Sequence, residues 1–330
     1  MINNKTILIT GGTGSFGTFF SEYILKNYNP KKLIIYSRDE LKQFHMKERM
    51  KKNKKKLRFF IGDIRDPERL NFALNDVDIV IHAAALKQVD TCEYNPFEAI
   101  KTNVLGAQNV IDQCRKNNVS KILALSTDKA ASPINLYGAT KLTSDKLFVL
   151  ANDYVGKKNI KFSVVRYGNV MGSRGSVIPK FLSKRKSEAF EITSENMTRF
   201  NITLEQSVNF VLDCLSKLKG GEIFIPKLPS YQIIDLVRAI NPKPKIKIIG
   251  IRPGEKIYEE MIPETDSLNA IEFKNYYIIF QNDIIKNNYI KATSEKFKKI
   301  KKPFSYNSKN NTHFLKVKEL KNLIKKNVAS

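Results

Sequence analysis

Short apolar runs alternate with helical patterns along the first half of the chain. Six runs rich in β-branched and aromatic residues are predicted as strands: Lys5–Thr10, Lys32–Ser37, Leu57–Ile61, Val77–His82, Lys121–Ser126 and Lys161–Arg166. Apolar residues at helical spacing predict helices between them, among them Ser15–Asn27, Pro96–Lys116 and Tyr137–Asp153. Nearly unbroken apolar strands that alternate with helices indicate a parallel sheet covered on both faces. With right-handed crossovers, this is an α/β fold built on a doubly wound Rossmann sheet.

The pattern becomes irregular after Tyr167, where short strands and helices mix with proline-rich turns. We predict a Rossmann domain at 1–167 and a smaller α/β substrate-binding lid at 168–280 that is interleaved with it. The remainder, 281–330, is predicted as a basic C-terminal tail with a short helix at Val317–Lys326.

Composition narrows the class of protein. The 330 residues are 42% hydrophobic, which is enough for a sizeable core, yet no run reaches the roughly 18 apolar residues of a membrane helix. No signal-peptide pattern follows Met1, so we expect a cytoplasmic enzyme without membrane contact. The three cysteines and three histidines are scattered and contain no C-x-x-C pair, which argues against a metal site and a disulfide framework.

The net charge of +25 has three interpretations. It can reflect a lysine-rich surface as a whole, attraction of an anionic substrate, or nucleic-acid binding. No recognised nucleic-acid motif interleaves aromatic residues with the lysine runs, so we predict no nucleic-acid partner.

A glycine-rich loop follows the first strand directly and opens a helix. Gly11, Gly14 and Gly17 lie in the segment GGTGSFG, which also satisfies G-x-G-x-x-G. Glycines let the backbone approach a pyrophosphate, which then lies at the positive N-terminus of the helix. In this strand–turn–helix context the pattern predicts dinucleotide binding rather than merely a tight turn.

The end of the second strand selects the cofactor. Ser37 and Arg38 come about twenty residues after the glycines, where Arg38 could pair with the 2′-phosphate of NADP. Asp39 and Glu40 follow immediately and keep NAD open as the alternative. Asp63 could accept a hydrogen bond from the adenine amine, and the small residues after His82 could lie along the cofactor; both features could equally be structural.

The segment STDKAASPINLYGATK, at 126–141, combines two charged pairs. Tyr137 and Lys141 are four residues apart on a predicted helix and share one face, so the ammonium should lower the pKa of the phenol. This pair is typical of hydride transfer. Asp128 and Lys129 add an acid and an amine that simple oxidation does not need, and they predict a further proton-transfer step unless they form only a structural ion pair.

These motifs resemble the extended short-chain dehydrogenase/reductase superfamily. More narrowly, TDKAASPINLYGATK, VVRYGNVMGSRGSV, MTRF and RPGEK resemble the inverting UDP-N-acetylglucosamine 4,6-dehydratases over about residues 5–280. The resemblance implies a soluble homo-oligomer (dimer, tetramer or hexamer) that acts on a UDP-sugar, with tightly bound and internally recycled NADP. It also implies dehydration with inversion at C5, as the first step toward pseudaminic acid or related 6-deoxy amino sugars of surface polysaccharides, including flagellin glycosylation.

The resemblance also implies roles for individual residues. Catalysis is assigned to Thr127, which orients the C4 oxygen, Asp128 as the acid to the C6 hydroxyl, Lys129 as the C5 base, Tyr137 and Lys141. Lys129 would then need a lowered pKa. The cofactor contacts are Gly11, Thr13, Gly14, Ser15, Phe16, Gly17, Ser37, Arg38, Asp39, Glu40, Lys42, Asp63, Ile64, Ala83, Ala84, Lys87, Asn103, Tyr137 and Lys141. The substrate contacts are Lys87, Asn169, Val170, Arg174, Gly175, Ser176, Val177, Thr198, Arg252 and Glu255.

Two alternatives remain open. A UDP-sugar 4-epimerase would share the fold, the glycines and the Tyr137–Lys141 pair, but it has no use for Asp128 and Lys129. An NADP-sensing or nucleic-acid-binding Rossmann protein without catalysis would not need both Tyr137 and Lys141.

Overall fold

The structure, a computed structural model, describes residues 1–156, 158–184 and 189–328. These residues form strands of two to seven residues. The strands are β1 Thr6–Thr10, β2 Lys32–Ser37, β3 Leu57–Ile61, β4 Ile79–His82, β5 Lys121–Thr127, β6 Lys161–Tyr167, β7 Asn169–Val170, β8 Phe190–Ile192, β9 Thr198–Ile202, β10 Ile223–Pro226, β11 Ser230–Gln232, β12 Ile246–Ile248, β13 Glu260–Ile262, β14 Ala270–Phe273, β15 Tyr276–Ile279, β16 Phe297–Lys299 and β17 Tyr306–Asn307.

Helices connect most of these strands. They are α1 Ser15–Asn27, α2 Glu40–Arg49, α3 Pro67–Ala73, α4 Val89–Tyr94, α5 Pro96–Ile100, α6 Gly106–Lys116, α7 Leu136–Leu150, α8 Val177–Leu182, α9 Leu204–Lys217, α10 Ile233–Ile240, α11 Glu264–Ser267, α12 Asp283–Ala292 and α13 Val317–Asn327. A π-helical turn at Lys101–Leu105 joins α5 to α6, so the long helix predicted at Pro96–Lys116 is divided.

The main sheet has ten strands in the order β16-β14-β15-β10-β6-β5-β4-β1-β2-β3. The strands from β10 to β3 run parallel, and β15, β14 and β16 continue the sheet in antiparallel pairing. The order reverses between β1 and β4, where crossovers leave the sheet in opposite directions and ligands commonly bind. The predicted α/β doubly wound Rossmann fold is confirmed.

A second, smaller hydrophobic core lies beside the main one. It joins residues from three separate stretches of the chain, such as Met171 and Phe190, Leu236 and Val237, and Leu320. The third stretch lies beyond residue 280, so this core is shared by the predicted lid segment and the segment that follows it. None of the described helices is long and apolar enough to cross a membrane.

The expectation of a separate basic tail at 281–330 is wrong for its described residues. Strand β16 pairs with β14 in the main sheet, β17 pairs with β13, and α13 buries Leu320 and Ile324 in the second core. The predicted helix at Val317–Lys326 is present as α13. The polar composition hid the fold because only a few apolar side chains in this segment face the core.

Candidate active site

A cavity of about 590 Å³ opens at the carboxyl ends of the parallel strands. Most of the residues predicted from the sequence line it. From the cofactor set these are Gly11, Thr13, Gly14, Ser15, Phe16, Gly17, Ser37, Arg38, Asp39, Lys42, Asp63, Ile64, Ala83, Ala84 and Lys87. From the other two sets they are Thr127, Asp128, Lys129, Tyr137, Asn169, Val170, Arg174, Gly175 and Ser176.

The glycine loop forms one end of the cavity and has no room for side chains. Gly11 has a φ of +65°, and a Cβ built there would lie 2.9 Å from the backbone of Ala84. A Cβ at Gly17 would lie 2.5 Å from the carbonyl oxygen of Gly12. A side chain at either position would collide with the protein's own backbone, so glycine is needed for this loop to pack closely, and α1 begins there at Ser15 with its positive N-terminus. These features fit the pyrophosphate of a dinucleotide.

Ion pairs engage two acidic side chains near the end of β2, Asp39 and Asp63. Asp39 caps α2 by accepting from the backbone N–H of Lys42, and it also pairs with the Lys42 ammonium. Asp63 is held by Arg65 at 2.7 Å and lies 3.6 Å from Arg38. Bonds from Lys42 lower the pKa of Asp39, so its carboxylate is ionised but already engaged. Arg38 remains half-exposed at the rim of the cavity.

The predicted acid–base pair also lines the cavity and lies directly after β5. Asp128 and Lys129 belong to a short 3₁₀-helix, and Thr127 caps it by accepting from the Lys129 N–H. The Lys129 Nζ and the Thr127 hydroxyl donate to the same oxygen of Asp128, Oδ1, at 3.1 and 2.9 Å. The other oxygen, Oδ2, is buried and has no partner among the described residues. Asp128 is 1% exposed, so this pair is largely withdrawn from water.

A second carboxylate, which the sequence analysis missed, completes this cluster. Glu259 Oε1 lies 3.1 Å from Lys129 Nζ and 3.5 Å from Arg199 Nε. Glu259 and Arg199 lie in or near the motifs named above: Arg199 is part of MTRF, and Glu259 follows RPGEK by three residues. The sequence shows Glu259 only as a glutamate next to a short apolar strand, and nothing in the neighbouring residues indicates that it contacts Lys129.

The two carboxylates change the expected protonation of Lys129. Burial favours the neutral amine, but Asp128 and Glu259 together raise the pKa of Lys129 above its usual value. The expectation that Lys129 has a lowered pKa is therefore wrong for the free protein, because the cation has two anionic neighbours and Arg199 opposes them only in part. Burial, with Glu259 adding to it, raises the pKa of Asp128 despite the opposing effect of Lys129.

The electrostatic surroundings of Tyr137 also differ from expectation. Burial raises the pKa of Tyr137 to about 12, while Lys129 and a hydrogen bond with Thr127 act in the opposite direction. The main cation acting on the phenol is thus Lys129 rather than Lys141. Lys141 is buried, its Nζ donates to the carbonyl of Leu125, and its side chain does not line the cavity. Burial lowers the pKa of Lys141.

Six further predicted contacts lie away from the cavity lining. Thr198 is buried against Ser308, and Arg252 pairs with Glu255, whose carboxylate also accepts from Thr193. Asn103 uses its amide to hold the backbone of Leu86 and the hydroxyl of Thr140. Glu40 is exposed in the first turn of α2, and Val177 packs toward the second core. The side chains of these residues do not line the cavity, and their assignment as ligand contacts stays a prediction.

Residues that follow β6 contribute the side of the cavity that faces the glycine loop. Lys87 Nζ donates to the carbonyl of Arg174, and the N–H of Arg174 donates to Ser15 Oγ. Asn169 Oδ1 and Ser176 Oγ are buried without a partner among the described residues. Unsatisfied polar atoms on a cavity wall are suited to bind a polar ligand.

Comparison with known proteins agrees with this geometry. The chain matches the family described as polysaccharide biosynthesis protein over residues 7–281. It is 55% identical to a UDP-N-acetylglucosamine 4,6-dehydratase (inverting) of Campylobacter jejuni, with 98% of both chains covered. It is 43% identical to a protein named UDP-glucose 4-epimerase in Rickettsia bellii, over 98% of this chain and 96% of that relative.

A solved structure gives the same result. The X-ray structure of Pen from Bacillus thuringiensis superposes with a TM-score of 0.90 at 38% identity, covering 99% of this chain and 98% of that one. The chain therefore belongs to the polysaccharide biosynthesis protein family, together with the inverting UDP-N-acetylglucosamine 4,6-dehydratases.

Proposed function

We propose that this protein is a UDP-N-acetylglucosamine 4,6-dehydratase that inverts C5 and uses NADP. The observation that carries the proposal is the buried contact between Asp128 and Lys129, beside Tyr137 and in the same cavity as the glycine loop. Loss of water across C5 and C6 requires a base for the C5 proton and an acid for the C6 hydroxyl, and this pair can supply both.

NADP fits the residues at the glycine end. The glycine loop lines the cavity at the N-terminus of α1, where a pyrophosphate is favoured, and the half-exposed Arg38 offers a cation to a 2′-phosphate while Asp39 is engaged by Lys42. A dinucleotide held there would supply hydride chemistry, with a hydride taken from C4 of the sugar and given back at C6. Because the hydride returns, the cofactor is expected to stay tightly bound.

The raised pKa of Lys129 is compatible with its role as a base. Transfer of one proton from the Lys129 ammonium to Asp128, along their 3.1 Å hydrogen bond, gives a neutral amine and a protonated carboxyl group at once. These are the base and the acid that the elimination needs, and no proton is taken from solvent. Burial favours this neutral form of the pair, because it removes two charges from a site that is poorly hydrated.

Tyr137 has a separate role at C4. Its phenolate form takes the C4 hydroxyl proton as the ketone forms and becomes the neutral phenol, and the Lys129 ammonium stabilises that phenolate beforehand. After Tyr137 has accepted the proton, its negative charge no longer favours the Lys129 ammonium. Proton transfer from the sugar to Tyr137 therefore favours the later transfer from Lys129 to Asp128.

The second candidate is 4-epimerisation of a UDP-sugar, which one of the relatives suggests by name. Incubation with UDP-N-acetylglucosamine and no added cofactor separates the two, because dehydration lowers the mass of the sugar nucleotide by one water and epimerisation leaves it unchanged. Product of unchanged mass, with a new configuration only at C4, would support the epimerase.

The proposal also covers the use of the product, the compartment and the oligomeric state. The keto-sugar product would be the first intermediate toward pseudaminic acid or a related 6-deoxy amino sugar, used in surface polysaccharide or flagellin glycosylation. We further propose a cytoplasmic homo-oligomer. The activity of the C. jejuni relative supports the substrate class.

A further inference from the structure

Behind Lys129, as seen from the cavity, lies a pair of charged residues that the proposed reaction has not yet used. Glu259 is 2% exposed and Arg199 is 7% exposed, and neither lines the cavity. Their side chains therefore do not reach the substrate, yet Glu259 contacts the amine that the proposed reaction employs.

We propose that Glu259, fixed by Arg199, is a positioning residue that holds the Lys129 side chain between two carboxylates and sets the pH range in which the Asp128–Lys129 pair works. This inference rests on the proposed function for the reaction itself, but the contacts that carry it are independent of the substrate.

The backbone of Glu259 is held from the C-terminal part of the chain. Its N–H donates to Ser308 Oγ at 2.9 Å, and its carbonyl accepts from the Ser308 N–H at 2.8 Å. Two residues later, the carbonyl of Met261 accepts from the buried guanidinium of Arg166. These bonds fix the start of β13 from both sides, so the Glu259 carboxylate is presented to Lys129 from a rigid support.

Arg199 is equally restrained. Its guanidinium donates to the backbone carbonyls of Thr198, Lys256 and Ile257 at 2.7 to 3.1 Å, which leaves Nε facing Glu259 at 3.5 Å. A guanidinium stays charged when buried, so Arg199 supplies a permanent cation. The second carboxylate oxygen, Glu259 Oε2, is buried without a partner among the described residues. The Glu259 carboxylate thus contacts two cations, Lys129 and Arg199, and solvent does not screen its charge.

The charged and titratable groups around Lys129 come from several elements. The acidic ones are Asp128, Glu259, Tyr137 and Tyr231. The basic ones are Arg199, Lys87 and Lys256. Glu259 and Arg199 act on Lys129 with opposite signs, because the carboxylate stabilises the ammonium and the guanidinium destabilises it. Removing each charge in turn should therefore shift the titration of Lys129 in opposite directions.

The experiment compares the pH dependence of turnover in Glu259→Gln and Arg199→Met with that of the wild type. The pair is active with one shared proton, so its profile falls on the acid side when it gains a second proton and on the alkaline side when it loses its last one. Glu259→Gln should move both limbs to lower pH by about 1 unit or more, the usual effect of an opposite charge at contact distance. Arg199→Met should move them to higher pH.

Three comparisons separate this role from a loss of structure. Glu259→Asp keeps the charge and should hold the limbs closer to the wild-type positions than Glu259→Gln does. Glu260→Gln is the matched neighbour, since its carboxylate bonds to Ser132 and Ser305 rather than to Lys129, and it should leave the profile unchanged. Arg199→Lys should shift the limbs less than Arg199→Met.

A second readout does not depend on activity. The Lys129 side chain is 23% exposed, so its amine can be acetylated by acetic anhydride and quantified by peptide mass spectrometry across a pH series. Glu259→Gln should make Lys129 reactive at lower pH than in the wild type. An unchanged reactivity profile, or limbs that move in the same direction in Glu259→Gln and Arg199→Met, would overturn the inference. A wild-type protein that fails to dehydrate the sugar would contradict the proposed function instead, and the labelling would still test Glu259.

Discussion

Replacing Lys129 separates its charge from its basicity. Lys129→Arg keeps a cation that can pair with Asp128 and Glu259, but a guanidinium does not lose its proton in proteins. Lys129→Met removes both properties. In the wild type, Nζ lies 3.1 Å from each carboxylate, and these side chains are only 1% and 3% exposed. Both variants should lose C5 proton removal, at a cost of roughly 10²- to 10⁴-fold in turnover.

The two variants should differ in stability. Removing one partner of a buried ion pair costs about 3–5 kcal/mol, and the lower end applies here because Lys129 is partly exposed and Arg199 still faces Glu259. Lys129→Met should therefore lose about 3 kcal/mol of unfolding free energy in urea titrations, and Lys129→Arg should lose much less.

The assay follows hydride and water separately. Absorbance of reduced nicotinamide reports oxidation at C4, and product mass reports loss of water. Lys129→Arg should still form reduced cofactor on addition of UDP-N-acetylglucosamine, yet accumulate no dehydrated sugar. If Lys129→Arg yields the dehydrated, C5-inverted product at the wild-type rate, another group removes the C5 proton and the assigned role of Lys129 is refuted.

Three other variants test separate parts of the account. Tyr137→Phe should lower turnover by roughly 10²- to 10⁴-fold with unchanged circular dichroism, because the phenol receives the C4 proton; a rate near that of the wild type would contradict this role. Arg38→Ser should reduce binding of NADP more than that of NAD in calorimetry of the stripped protein, whereas equal losses would argue against 2′-phosphate recognition. Asp145→Asn should cost about 3–5 kcal/mol in urea unfolding, because it breaks a fully buried pair with Arg166; a loss below about 1 kcal/mol would disprove that estimate.

The local parts of the fold followed from the sequence. Helix α1 and strands β2 and β3 have the predicted bounds, since each is a short apolar pattern that ends at glycines, charges or turns. The antiparallel extension of the sheet was missed. Strands β14 to β16 are only three or four residues long, and they join the sheet through the pairing of β15 with β10, which lies some fifty residues earlier in the chain.

In the candidate active site, too, the sequence indicated residues on contiguous segments but not contacts between distant ones. The glycine loop and the residues from Thr127 to Lys141 lie on contiguous segments, so their types and spacing indicated the chemistry. The pKa of Lys129 could not be predicted, because it depends on Glu259 and Arg199, which two separate strand ends bring to the same place. The resemblance pointed to Arg252 and Glu255, which belong to the RPGEK motif. In the structure these two residues pair with each other, and Glu259, three residues after the motif, contacts the amine of Lys129.

The most direct test of the central claim follows isotopes through one turnover. Wild-type protein is incubated with UDP-N-acetylglucosamine in D₂O, and separately with substrate deuterated at C4 in ordinary water, and both products are examined by NMR spectroscopy. We expect loss of water, deuterium at C5 with inverted configuration in the first experiment, and transfer of the C4 label to C6 in the second. A product that keeps its water and carries the label again at C4 would show that the protein epimerises the sugar and does not dehydrate it.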